Sequence, residues 1–134
     1  MPRYLLDTSV LIDYSLGREP VRTRLMDLLE GPDEVAIGPI QIAEFISGIA
    51  PSERSSWQGF LETITFWQPT RTTGYLAGAY RYDFARRGIS LAAPDVLIAA
   101  LAYERAAIVL TNNARHFPMS DIEVIVLRTD APKP

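Results

Sequence analysis

The chain has 134 residues, of which 48% are hydrophobic and 22% charged, a composition typical of one globular domain. It has no cysteine, which excludes disulfides, zinc–thiolate sites and thiol nucleophiles and suits a reducing, cytoplasmic environment. A net charge of −3 provides no overall attraction to nucleic acid, so a polyanion would have to be held by local arginines or by metal ions.

The apolar segments do not predict export or membrane insertion. Asp7 interrupts the N-terminal apolar stretch too early for a signal peptide, and Asp95 breaks the later stretch LAAPDVLIAALAY. A bilayer span needs about 20 consecutive, mostly apolar residues. We therefore expect a cytoplasmic protein with no membrane contact, made of one domain at residues 1–130 and a short disordered tail at 131–134.

The predicted elements alternate between strands and helices. In chain order they are a strand at Arg3–Leu6, helices at Ser9–Leu16 and Pro20–Glu30, a strand at Val35–Ile37, a helix at Pro39–Ile49, a helix capped by Ser52 and ending at Leu61, a strand at Ile64–Trp67, helices at Thr72–Arg87 and Pro94–Arg105, and strands at Ala107–Leu110 and Val124–Leu127. Strands separated by helical crossovers predict an α/β fold of three layers, a mostly parallel central sheet with helices on both faces.

Four polar residues fall where such sheets carry their chemistry, outside the carboxyl ends of the strands. Asp7 follows the first strand, Glu44 lies in the helix after the second, Asp95 opens a helix that is apolar nearly all round, and Asn113 follows the Ala107–Leu110 strand. Hard oxygen donors from separate segments near one sheet edge favour a Mg²⁺ or Mn²⁺ site. The matching chemistry is metal-assisted hydrolysis of a phosphodiester.

Each of these residues also has an ordinary structural interpretation. Asp7 is suited to cap the helix that follows it, and Asp95 is suited to face the N-terminus of its own helix. Glu44 lies opposite the apolar stripe of its helix, as a solvent-exposed glutamate would. Asn113 is a common turn residue. The residues by themselves leave both interpretations open.

Other reaction classes lack the residues they need. Lys133 in the tail is the sole lysine among thirteen cationic side chains, which disfavours phospho-receiver modules and haloacid-dehalogenase-like phosphatases. A Walker-type nucleotide site needs G-x-x-x-x-G-K, which is absent from the sequence. A Ser-His-Asp hydrolase would have to use His116, the one histidine, and no G-x-S-x-G motif is present.

Four segments in a fixed order resemble the PIN-domain family, and most closely the VapC-type ribonuclease toxins of bacterial toxin–antitoxin modules. They are YLLDTSVLIDY, IGPIQIAEFISGI, ISLAAPDVLIAALAYERAAIVLTNNARHF and IEVIVL, and the resemblance extends from the first strand to the last. The resemblance implies a Mg²⁺- or Mn²⁺-dependent endoribonuclease that acts on RNA. It also implies a homodimer, which can enter a higher assembly with a cognate antitoxin that covers or enters the acidic pocket.

Within this resemblance, Asp7, Glu44 and Asp95 match the metal-binding acids of the family. Asn113 matches its fourth position, which is often an aspartate. The positions expected to hydrogen-bond the acids or bound water are matched by Thr8, Ser9 and Thr111. A neutral amide at position 113 removes one charge from the site, so a second metal ion would bind weakly or only together with substrate phosphate.

Arginines are the candidates for RNA contact. Arg115, beside the acidic loop, is the better candidate, while Arg86 and Arg87 either hold phosphates or complement the C-terminus of the long helix. His116, in the same loop as Arg115, either contributes to the chemistry or anchors the loop through the packing of Phe117.

Two other functions remain open at the level of the sequence. One is an RNA-processing nuclease outside a toxin–antitoxin module, and the other is a catalytically inactive PIN-like interaction module. Retention of the three acids favours an enzyme, whereas Asn113 is the one feature that favours the inactive module.

Overall fold

The computed structural model describes residues 1–130 and 132. In this part of the chain the elements are β1 Arg3–Leu6, α1 Thr8–Ser15, α2 Val21–Glu30, β2 Glu34–Ile37, α3 Pro39–Ile46, α4 Pro51–Leu61, β3 Thr65–Phe66, α5 Arg71–Arg86, α6 Ala93–Glu104, β4 Ile108–Thr111, a 3₁₀ helix Ala114–His116, and β5 Glu123–Val126. The predicted tail, residues 131–134, lies outside the described residues apart from Pro132.

The five strands form one sheet in the order β3-β2-β1-β4-β5, and every strand pair is parallel. Leu5 in the middle strand lies beside Ala36 of β2 and Val109 of β4. Because a parallel pair needs a crossover between its strands, the helices are carried onto the two faces of the sheet. The predicted α/β class is confirmed, and the sheet is wholly rather than mostly parallel.

Side chains that alternate along the strands divide the core into two halves. Leu5, Ala36 and Val109 pack with α5 and α6 on one face. Leu6 and Leu110 point the other way and pack with α1 to α4. The three predicted layers are therefore present. None of the helices within residues 1–130 and 132 combines the length and apolar character needed to cross a bilayer.

Most element boundaries lie within one or two residues of their predicted positions, and two differ for physical reasons. The prediction of Ser52 as an N-cap is wrong, because α4 begins at Pro51 and its N-cap is Ala50. The fixed φ and missing N–H of proline suit the first helical position. The α3 helix ends at Ile46 instead of Ile49, since Gly48 disfavours continuation.

The carboxyl end of β1 is held on both sides. The Asp7 backbone N–H donates to the Leu110 carbonyl of β4, with an N–O distance of 2.8 Å. On the other side, the fully buried Gln41 of α3 donates from Nε2 to the Leu6 carbonyl at 2.9 Å and accepts from the Gly38 N–H at 3.1 Å. These bonds bring the starts of α1 and α3 to the end of β4.

Candidate active site

A cleft of about 440 Å³ opens at the carboxyl edge of the sheet. Its polar lining comes from four parts of the chain and consists of Asp7, Thr8, Ser9, Glu44, Ser47, Asp95, Asn113 and His116. The structure thus brings together all four of the residues that the sequence singled out. Their functional roles stay predictions, since proximity alone assigns none.

Asp7 does not act as a helix cap. It occupies the N-cap position of α1, yet its side chain makes no capping hydrogen bond. Its carboxylate, in a residue only 5% exposed, instead accepts hydrogen bonds at Oδ2 from Ser9 Oγ and Thr111 Oγ1, both at 2.8 Å. The capping interpretation is therefore excluded, and two hydroxyls fix the orientation of the acid.

The same two hydroxyls also receive hydrogen bonds from the turn after β4. The Asn112 N–H donates to Ser9 Oγ at 3.0 Å, and the Asn113 N–H donates to Thr111 Oγ1 at 2.9 Å. Each hydroxyl therefore relays a backbone N–H to the Asp7 carboxylate. The turn that carries Asn113 is fixed relative to Asp7 through both relays.

Glu44 lies on the side of α3 that faces the cleft. Thr8 Oγ1 donates to Glu44 Oε1 at 2.7 Å, which joins α1 to α3 across the mouth of the site. The residue is exposed, as the helical periodicity indicated. A glutamate lining an open cleft and an ordinary surface glutamate give the same sequence pattern, so only the fold separates them.

Asp95 sits in the first turn of α6, close to His116. His116 Nδ1 is 3.5 Å from Asp95 Oδ2. Burial raises the pKa of Asp95 above its ordinary value; His116 opposes the rise, while the charges of Asp7 and Glu44 add to it. The three carboxylates therefore repel one another across the cleft.

The negative charge of the cleft is poorly compensated by the protein itself. Neither arginine nor lysine is among the residues that line it. Among residues 1–130 and 132, no cationic side chain forms a salt bridge with Asp7 or Glu44. Removing a carboxylate from water without a positive partner is costly, so the cleft favours an added cation.

The donor chemistry of the site fits a hard divalent ion, although the protein does not supply a finished coordination shell. Within the described residues, no group of three or more histidine, aspartate and glutamate side chains is arranged to hold a metal ion. Mg²⁺ keeps several of its waters and is usually bound through one or two carboxylates together with substrate phosphates. The oxygen ligands of Asp7, Glu44 and Asp95 suit that mode of binding.

The candidate RNA-contacting arginines lie outside the lining of the cleft. Arg115 is exposed on the 3₁₀ helix. The guanidinium of Arg86 lies 4.5 Å from the ring centre of Tyr82, and that of Arg87 lies 4.1 Å from the ring centre of Phe84. Both guanidinium groups therefore stack on aromatic side chains of α5.

The structure supports the packing interpretation of the His116 loop, whereas a contribution of His116 to the chemistry stays a prediction. Its ring lines the cleft beside Asp95, while the next residue, Phe117, is buried in the half of the core formed by α5 and α6. The packing of Phe117 therefore anchors the loop that presents His116 to the site.

Sequence reasoning missed Asp13 and the role of Asn112. Asp13 is only 3% exposed, and its carboxylate binds Arg18, Arg128 and the Asn112 side chain. Although burial works against ionisation, the hydrogen bonds from Arg128 and Arg18 outweigh it and hold the pKa of Asp13 below its ordinary value. The sequence feature that could have identified Asp13 is its position as an acid within the otherwise apolar segment VLIDY of α1.

Comparison with known proteins places these features in a family context. The family model described as PIN domain matches residues 4–121. Ribonuclease VapC19 of Mycobacterium tuberculosis is 32% identical over 117 residues, which cover 86% of this chain and 92% of that protein.

Solved structures agree in fold. DNA-bound VapBC from Salmonella typhimurium superimposes with a TM-score of 0.79 at 25% identity, over 95% of this chain and 99% of that chain. A toxin–antitoxin complex from Klebsiella pneumoniae gives a TM-score of 0.76 at 23% identity, over 92% of this chain and 97% of that chain.

Proposed function

The chain belongs to the PIN-domain family, and we propose that it is a toxin-type endoribonuclease that binds Mg²⁺ or Mn²⁺ in its acidic cleft. The observation that carries the proposal is the convergence of Asp7, Glu44 and Asp95 from three separate elements on one cleft whose lining includes neither arginine nor lysine. The name of the relative from M. tuberculosis, a ribonuclease 32% identical to this chain, supports RNA as the substrate.

The charge of the cleft links the cation to the substrate. RNA presents an anionic phosphodiester, which three carboxylates repel. Asp7, Glu44 and Asp95 would hold a divalent cation, whose positive charge would offset this repulsion. Exposed Arg115, beside the cleft, is placed to contact a neighbouring phosphate.

The side chains of this protein supply orientation and charge. Ser9 and Thr111 hold the Asp7 carboxylate through Oδ2, and Thr8 holds Glu44 through Oε1, so both acids are oriented before any ligand arrives. The bound ion would supply a Lewis acid that activates water and offsets charge on the scissile phosphodiester. The pKa of Asp95 is raised by burial and by the neighbouring carboxylates, and a cation in the cleft would favour its ionised form.

We further propose that the cleft is inhibited by a cognate antitoxin and that the free chain is a homodimer. The similar structures from S. typhimurium and K. pneumoniae are a VapBC assembly and a toxin–antitoxin complex, which supports a protein partner of this kind. A cleft with uncompensated carboxylates also suits a partner segment that carries positive charge.

The activity is tested by incubating purified protein with a structured RNA in the presence of Mg²⁺ or Mn²⁺. We expect cleavage that stops on addition of EDTA. In Asp7→Asn and Asp95→Asn, the cleavage rate should fall by about 100-fold or more, because loss of a residue that merely supports a ligand already costs a metal site about 10- to 100-fold. The matched control is Asp27→Asn, which removes one carboxylate from the exposed face of α2 and should leave the rate unchanged.

Three results would contradict the proposal. Cleavage that persists in EDTA would rule out dependence on the divalent ion. A rate equal to that of the wild type in Asp7→Asn would remove this acid from the site. Absence of cleavage with either ion would favour the inactive interaction module instead.

A further inference from the structure

Asp13 carries a contact network that the cleft-lining residues do not explain. It lies in α1 with its side chain 5% exposed. Arg18 Nη1 donates to Oδ1 at 2.9 Å, while Oδ2 accepts from Arg128 Nη2 at 2.8 Å and from Asn112 Nδ2 at 2.7 Å. The end of α1, the turn after β4 and the segment after β5 therefore meet at one carboxylate beside the cleft.

Asn112 connects this carboxylate to the cleft. Its side-chain Oδ1 accepts from the Arg128 N–H at 2.9 Å, and its own N–H donates to Ser9 Oγ at 3.0 Å. Ser9 Oγ in turn donates to Asp7 Oδ2 at 2.8 Å. A continuous chain of hydrogen bonds thus runs from Asp13 through Asn112 and Ser9 to Asp7.

The spacing of Ser9 and Asp13 along α1 explains why the backbone N–H and the side-chain amide of Asn112 are both bound. Ser9 and Asp13 are four residues apart, so they lie one turn apart on the same face of the helix. Ser9 binds the backbone N–H of Asn112, and Asp13 binds its side-chain amide. Two contacts separated by a helical turn fix the orientation of the residue as well as its position.

Stability alone is a weak reason for such a network. Arg18 and Arg128 are more than half exposed, and ion pairs with exposed side chains contribute little to stability. A buried carboxylate also pays a desolvation cost that an apolar residue at the same place would avoid. The Asn112 contact is the one that reaches toward the cleft.

We propose that Asp13 is a positioning residue for the ribonuclease reaction: it fixes Asn112, and through Asn112 it sets the Ser9 hydroxyl that orients Asp7. This inference rests on the proposed function for its catalytic consequence. The hydrogen-bond chain itself is a property of the fold and has its own readout, the protection of the Asn112 and Asn113 amides.

The experiment compares Asp13→Asn and Asn112→Ala with Arg18→Gln as the matched control. Arg18→Gln removes an ion pair from the same carboxylate but leaves the Asn112 contact in place. Asn112→Ala keeps both arginine pairs of Asp13, so it tests the chain even where Asp13→Asn folds poorly. The measurements are kcat and KM for RNA cleavage at saturating Mn²⁺, and amide hydrogen exchange of residues 112 and 113.

We expect kcat to fall by about 10- to 100-fold in Asp13→Asn and Asn112→Ala, since a small misplacement of a reacting group can cost about 100-fold. KM for RNA should stay within about twofold, because the ground-state contacts are kept. Exchange of the two amides should accelerate in both variants. Arg18→Gln should lose stability while retaining kcat and slow exchange.

The outcomes separate the two proposals. Folded Asp13→Asn and Asn112→Ala proteins with the kcat of the wild type would overturn the positioning role, as would an equal loss of kcat in Arg18→Gln. If the wild type does not cleave RNA while the amides of the variants exchange faster, the proposed function fails and the positioning of Asp7 stands.

Discussion

At the first turn of α1, the Asp7 side chain forgoes the free backbone N–H groups of the helix and accepts hydrogen bonds from Ser9 and Thr111. A capping aspartate would contribute about 1 kcal/mol to helix stability. The protein instead holds this carboxylate toward a cleft where Glu44 and Asp95 add charge of the same sign. The helix therefore lacks the stabilisation of a side-chain cap, and the carboxylate is oriented in a way that favours cation binding.

Asn113 is the residue where a single substitution should strengthen that binding. It lines the cleft with a neutral amide, and Asn113→Asp would add a fourth carboxylate. We expect tighter Mn²⁺ binding, because each added charge increases the attraction for a divalent ion. Titration calorimetry of the wild type and the variant measures the change in Kd.

Gln68→Glu is the control for this prediction, since it adds the same charge at an exposed position outside the lining of the cleft. Mn²⁺ affinity should change little in the control. An Asn113→Asp protein with unchanged or weaker affinity would show that the amide is not near the bound ion.

At the scale of elements, α1 is fixed at both of its ends. Its first turn is joined to α3 through Thr8 and Glu44 and to the turn after β4 through Ser9. Its last turn is joined to the segment after β5 through Asp13 and Arg128. The helix is therefore a rigid support for the site, and the Asp13 end of it is sensitive to pH.

The sign of the pH dependence follows from the lowered pKa of Asp13. Burial opposes ionisation of Asp13, but the hydrogen bonds from Arg128 and Arg18 together outweigh it and lower the pKa. Ionised Asp13 therefore stabilises the fold at pH values above the ordinary pKa of an aspartate. This stabilisation is lost as the pH falls through the lowered pKa. We expect Asp13→Asn to reduce the free energy of unfolding by about 1–2 kcal/mol at pH 7, because it removes two ion pairs whose arginines are more than half exposed. The difference should shrink as the pH approaches 3.

Urea unfolding of both proteins at pH 7 and pH 3 measures the two differences. The other acids are the same in both proteins, so the change in the difference isolates Asp13. An equal difference in unfolding free energy between the two proteins at both pH values would mean that the ionised form of Asp13 does not contribute to stability.

The elements that the sequence predicted well are those with local signals. Apolar runs give the strands, and prolines and glycines give most helix ends, including Gly88 after α5 with its φ of 78°. The Asp13 network was missed because Asn112 and Arg128 are 99 and 115 residues away along the chain. The role of Glu44 stayed ambiguous in the sequence. Periodicity shows only that Glu44 lies on the polar face of its helix, and a polar face can border either a cleft or bulk water.

At the scale of the whole molecule, the strand order places β1 in the centre of the sheet, between β2 and β4. The residues of the site come from both sides of this centre: Glu44 follows β2, while Thr111 and Asn113 belong to the end of β4 and its turn. The site therefore forms only when the strands β2, β1 and β4 have paired. A partner that covers the carboxyl edge of the sheet reaches every acid in the cleft.

We expect the chain to co-purify with the product of a small neighbouring reading frame that encodes a DNA-binding antitoxin, and the complex to leave RNA intact. The isolated chain should cleave RNA and have twice the mass of one chain by light scattering. An active, monomeric protein without such a neighbour would instead identify an RNA-processing nuclease.

The bond between Thr111 and Asp7 spans 104 positions of sequence, which has a consequence during protein synthesis. At a translation rate of about 5–20 residues per second, Asp7 leaves the ribosome several seconds before its hydroxyl partner has been made. Through that interval the nascent polypeptide has the first acid but lacks the strand that orients it. A copy of the chain that ends before β4 therefore lacks the hydroxyl of Thr111 that orients Asp7.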